Sequence, residues 1–157
     1  MAQAISTTSR PAYRAYQFLY FGFIVAPFLA GLDKFTHFLT NWDQYLAPVV
    51  ERLLPISGHT FMLLVGVVEM AAAVLVFVRP RIGAYVVAAW LLGVVVNLLL
   101  IPGYFDVALR DLGLALGALA LAQLSEEFAG SPFRALHRSA SDRTDGFPAT
   151  ARTQIDA

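Results

Sequence analysis

The sequence holds no cysteine, so a disulfide framework, a thiol relay and cysteine-ligated iron–sulfur clusters are excluded. Charge is scarce: 14% of the 157 residues are Asp, Glu, Lys or Arg, where soluble domains carry about a quarter. The formal net charge is zero and no dense run of Lys/Arg occurs, which speaks against a nucleic-acid partner. Only three histidines are present, and His137 falls in a polar C-terminal stretch. A bis-histidine haem needs two histidines facing each other at matched depth, whereas His37 and His59 both fall near the same membrane face. The same pair with a nearby aspartate shows no recognisable ligand spacing, so no metal is expected. Nucleophile elbow, phosphate loop and Gly-rich nucleotide fingerprint are all missing.

What fills the chain instead is apolar. Hydrophobic residues make up 58% and the mean hydropathy is +0.64, with a length that suits one domain. The organising stretch is His59–Val78. Twenty residues at about 1.5 Å each span roughly 30 Å, the thickness of a bilayer's hydrocarbon core. Eleven of these twenty are Leu, Val or Phe, together favouring insertion by roughly 3–7 kcal/mol. Glu69, near the middle, opposes insertion by about 3 kcal/mol, so the segment still inserts. A carboxyl at that depth must face other helices, a cavity or a proton rather than lipid.

The remaining elements follow in order. Residues 1–12 are polar and are expected to be loose. A first membrane helix is expected over about 16–35, anchored at one end by Tyr13, Tyr16 and Tyr20, with a bend near Pro27. Arg10 and Arg14 ahead of this apolar run imitate a signal peptide, but Pro27–Gly31 lacks the small-x-small cleavage pattern, so the helix is read as retained. Residues 41–54 read as an amphipathic helix lying on the membrane, with Leu46, Val49, Val50, Leu53 and Leu54 on one face and Pro48 in its first turns. Three further membrane helices are expected over about 59–78, 82–101 and 105–124. Residues 13–127 thus form a four-helix transmembrane domain, and 128–157 a disordered cytoplasmic tail. The fold class is an all-α integral membrane four-helix bundle with one interfacial helix.

Basic residues set the orientation. Arg10, Arg14, Arg79, Arg81, Arg134, Arg138, Arg143 and Arg152 collect on one side, and Lys34, Arg52 and Arg110 on the other. Eight against three places both termini in the cytoplasm. On that topology Asp33, Lys34 and His37 end the first helix on the outer side. Asn97 lies one turn from the outer end of the third helix, and Asp106, Arg110 and Asp111 open the fourth. Asp106 and Arg110, four apart, are placed to pair across one turn. With Glu69 these residues form a candidate polar pocket beneath the amphipathic segment. The same groups also suit a purely structural role, stapling helices together. Gly66, Gly113 and Gly117, with Ala118 and Ala122, offer small-residue surfaces for close helix packing.

Two stretches carry a family resemblance. Gly31-Leu32-Asp33-Lys34-Phe35 is similar to the Gly-x-x-Lys feature of the DoxX-like family of small four-helix membrane proteins. Gly66-Val67-Val68-Glu69, followed by small residues and a Leu/Val stretch ending in Arg79-Pro80-Arg81, resembles that family's second helix. Leu39–Pro48 resembles a bacterial subgroup of it, and the likeness spans roughly residues 15–125. Only Gly31, Lys34, Gly66 and Glu69 carry over residue by residue. The resemblance implies a subunit of the bacterial inner membrane, linked in some members to quinol oxidase or thiosulfate:quinone oxidoreductase activity. In others it implies partnership with redox-protective enzymes. A quinone is admitted by the resemblance and required by nothing in the sequence.

Three functions are therefore expected to compete: an accessory or scaffold subunit of a membrane complex; a pocket for a lipophilic ligand or quinone with Glu69 handling a proton; and a quinone-linked oxidoreductase subunit. No catalytic residue is assigned, and the balance lies toward no activity for the chain alone. Lipid and another membrane or redox subunit are the expected partners.

Overall fold

The computed structural model of the chain describes residues 4–128. Five α-helices follow one another: α1 (Ala4–Thr36), α2 (Pro48–Leu53), α3 (Gly58–Val78), α4 (Pro80–Leu99) and α5 (Phe105–Phe128), with a 3-10 turn at Trp42–Tyr45. No strand occurs among the described residues. Four helices are long and apolar enough to cross a membrane, α1 through its Pro11–Thr36 portion. The fold is an all-α, four-helix membrane bundle. Its helices pack in ring order α1–α3–α4–α5 and back to α1, with the broadest contacts between α4 and α5 and between α1 and α3.

Helix ends follow from local chemistry. Ser57 caps α3 by accepting the Thr60 amide at 3.2 Å, satisfying one of the orphan donors of the first turn. Arg79 ends α3, donating its amide to the Leu75 carbonyl at 2.8 Å, and accepts from Gly83 at 2.8 Å as α4 begins. Pro80 stands at the start of α4, where its fixed φ and missing N–H cost nothing.

Three elements differ from the sequence reading. The segment expected to be loose over 1–12 is helical from Ala4 onward, because a span already nucleated extends at one hydrogen bond per residue. Helix α5 continues one turn past 124, where Phe128 packs on Tyr13 and Tyr16 with ring centroids 5.5 and 5.8 Å apart. The amphipathic segment is not one helix. Asn41 caps the 3-10 turn by accepting the Asp43 amide, and Ala47 is then extended at φ −65°, ψ 132° before α2 starts at Pro48. The proline ring disfavours a helical conformation at the preceding residue. Leu46 and Ala47 are buried, whereas Leu53 points outward, so the expected apolar face is only partly used. The tail expected over 128–157 lies, beyond Phe128, outside the described residues.

Small side chains set the interior. Phe23, Ala72, Val76, Ala84, Val87, Ala88, Ala118, Leu121 and Ala122 form one core cluster. A second, of Ala47, Leu98, Ile101 and Ala108, sits under the α1–α3 loop. Large apolar residues such as Phe18, Phe77 and Leu109 face outward, as lipid-facing surfaces require. Association in lipid depends on close packing rather than on apolar burial, and alanine supplies that closeness here.

Candidate functional site

The polar interior is built around one helix crossing. A Cβ placed on Gly31 would lie 2.6 Å from the Gly66 carbonyl oxygen, and one on Gly66 would lie 2.7 Å from that of Gly31. Glycine at both positions lets the backbones of α1 and α3 touch. The two helices run antiparallel, since Tyr20 donates to the Phe77 carbonyl while His37 stacks on His59. Lys34 and Glu69 each follow their glycine by three residues and therefore sit on opposite sides of the crossing. Side chains lean toward the N-terminus of their own helix, which turns these two toward each other. Lys34 Nζ meets Glu69 Oε2 at 2.5 Å, with the lysine 3% and the glutamate 15% exposed.

Lys34, the only lysine in the chain, is covered from above. Its ammonium lies 3.9 Å from the centroid of the Trp42 ring, a cation–π contact worth about 2 kcal/mol when desolvated. Trp42 is held there by Asp33, whose Oδ2 accepts the indole N–H at 2.8 Å. Asp33 also accepts from Thr36 Oγ1, from the Phe38 amide and from the Leu39 amide. A buried carboxylate needs that many donors. Asp33 is thus the template on which the chain leaves α1 and folds Trp42 back over Lys34.

From the other side come α4 and α5. The Trp90 indole N–H is buried and directed at Glu69, though outside close hydrogen-bonding geometry. Asp111 is buried and acts electrostatically on Glu69. Its Oδ1 accepts from Arg110 Nε at 2.9 Å, the arginine lying at the exposed rim. Three acids, Asp33, Glu69 and Asp111, therefore gather with two bases, Lys34 and Arg110.

The structure brings Asp33, Lys34, Glu69, Asp111 and Arg110 together at one end of the bundle and separates the others from them. Asn97 does not line the site. Its Oδ1 accepts the Ala47 amide at 3.0 Å and its Nδ2 donates to the Tyr45 carbonyl at 2.6 Å, fastening the loop to α4. His37 turns away, in a left-handed conformation at φ 53°, and stacks on His59. The expected Asp106–Arg110 pair does not form: Asp106 is exposed and Arg110 folds onto its neighbour Asp111. Among the glycines, Gly66 makes the close approach and Gly117 receives the Phe23 ring at 3.4 Å, whereas Gly113 faces open space. Sequence reasoning missed two members, Trp42 and Trp90. Trp42 lies in the segment read as an amphipathic helix, and nothing local signals that Asp33 recruits it.

Fold and site together define a four-helix membrane bundle with a lysine–glutamate pair at the α1–α3 crossing. Compared with protein-family models, with curated proteins and with solved structures, the chain gave no match in any of the three.

Proposed function

We propose that this chain is a DoxX-like, multi-pass protein of the bacterial inner membrane, with both termini cytoplasmic, acting as an accessory or scaffold subunit without activity of its own. One observation carries this reading: most of the interior polar groups are engaged in holding the chain together. Asp33 templates the loop, Asn97 fastens it, and Lys34–Glu69 ties α1 to α3. A catalytic group needs free bonding capacity aimed at a substrate. The neighbour such a scaffold meets is reached through α5, where Leu109, Gly113 and Leu116 are exposed and Gly113 has open space in front of it. Extraction in mild detergent followed by affinity capture should recover a second membrane or redox subunit in fixed ratio. Recovery of the lone chain or a homodimer would defeat the proposal.

A second reading rests on Trp90. Its buried N–H, directed at Glu69 but outside close hydrogen-bonding geometry, suits a shared carbonyl oxygen on a lipophilic ligand of the quinone class, with Glu69 exchanging the proton. Under this reading Glu69→Gln keeps expression and thermal stability while quinone no longer protects the protein from unfolding. Parallel loss of stability and protection would assign Glu69 to packing alone.

A further inference from the structure

Outside the interior site, three potential ligands meet where the α1–α3 loop closes. Donor atoms of His37, Asp43 and His59 all lie within 4.8 Å of one another. The residues come from three separate pieces of backbone: the turn after α1, the 3-10 turn and the first turn of α3. Each piece is fixed independently. The His37 amide donates to the Asp33 carbonyl at 2.7 Å, Asn41 caps the turn that carries Asp43, and Ser57 caps the helix that carries His59. His59 Nδ1 already meets Asp43 Oδ2 at 3.0 Å. The His37 ring stacks alongside, with centroids 5.6 Å apart and planes at 23°.

Two features remain unexplained by the protein alone. Asp43 Oδ1 is shut off from solvent and accepts no hydrogen bond, and a carboxylate oxygen in that state is costly. His37 also holds a left-handed backbone conformation, at φ 53°, that non-glycine residues seldom adopt. A cation between the three side chains would supply the missing partner for Asp43 and a reason for where His37 points. Two imidazoles and a carboxylate suit zinc, which takes such ligands at about 2.0–2.2 Å. Tetrahedral geometry at those lengths needs donors roughly 3.3 Å apart. Both histidines are exposed, and rotation of their side chains can close the remaining gap.

We propose that His37, Asp43 and His59 form a three-ligand site for a divalent ion of the zinc class, with its fourth position open to water. The ion would pin the end of α1 to the start of α3 and fix the turn that lays Trp42 over Lys34. This proposal is independent of the functional reading above. The spacing alone does not reveal it, because the ligands stand 6 and 16 residues apart and meet only through the loop's return.

The test uses the full chain in detergent, without a histidine tag, stripped with chelator and titrated with Zn2+ against a chromophoric competitor. One ion per chain is expected. Affinity should fall at least about tenfold in Asp43→Asn and in His59→Gln, the smallest loss typical even of outer-shell changes, and should hold in His137→Ala. Zn2+ should also raise the unfolding temperature of the parent chain and not that of His37→Gln/His59→Gln. The Asp43→Asn variant keeps size and hydrogen-bonding capacity, so it serves where a histidine variant fails to fold. Absence of stoichiometric binding, or equal affinity in Asp43→Asn and the parent chain, would overturn the proposal.

Discussion

Removing the Glu69 carboxylate alone should expose how the interior is balanced. In Glu69→Ala the Lys34 ammonium stays where it is, 3% exposed and cut off from its partner. Breaking a buried pair from one side costs about 3–5 kcal/mol. The Trp42 face, 3.9 Å away, remains and offsets up to about 2 of that. With that offset the net loss is about 1–3 kcal/mol, a fall of roughly 5- to 150-fold in the folded-to-unfolded ratio. The double variant Lys34→Met/Glu69→Leu removes both charges and fills the space with apolar groups, a change that is often neutral. It should return to within about 1 kcal/mol of the parent chain, revealing strong coupling between the two sites. Reversible denaturation in mixed micelles of the parent chain, Lys34→Met, Glu69→Leu and the double variant measures the four corners of the cycle. A single variant within about 0.5 kcal/mol of the parent, the size of an ordinary surface change, would refute the reasoning. So would a double variant no better than the single one.

Other sites give sharper contrasts. Gly66→Val puts a branched side chain where even a methyl would sit 2.7 Å from the Gly31 carbonyl. It should lower stability by about 1–3 kcal/mol or more, while Gly93→Val, with nothing near it, should leave the thermal midpoint almost unchanged. Asn97→Leu strands the Ala47 amide and Tyr45 carbonyl at about 1–3 kcal/mol. Its expected signature is faster proteolysis and amide exchange confined to residues 41–54. Gly113→Leu should shift the isolated chain by no more than about 0.5 kcal/mol and still reduce capture of the proposed neighbour. Unchanged capture would remove α5 as the docking face.

The four membrane helices were legible because hydropathy and length act residue by residue. Ser57, Arg79-Pro80-Arg81 and Pro102-Gly103 lie at or beside their ends. Lys34 and Glu69 were legible as members of one site because a charge at that depth has few places to go. Their direct pairing depends on the Gly31–Gly66 crossing, and that is a property of two helices together. The break at Ala47 was present in the sequence as Pro48, but a proline in the first turn of a long helix and one opening a short helix look alike. The choice between them is made by Asn97, fifty residues away. Arg110 had two acids in reach, Asp106 and Asp111. Spacing favours the first; the interior position of Asp111 decides for the second. Asp33 was expected at the outer end of the first helix, and its work as a template emerges only once the loop has turned back.

One consequence concerns Lys34 as a chemical singleton. No other residue offers a side-chain primary amine, and this one is sealed between a carboxylate and an indole. Acylating reagents that ordinarily decorate membrane proteins at many positions therefore have a single internal target here, reachable only when α1 and α3 part or Trp42 lifts. The speed of that one modification becomes a clock for opening, built into the chain without any label.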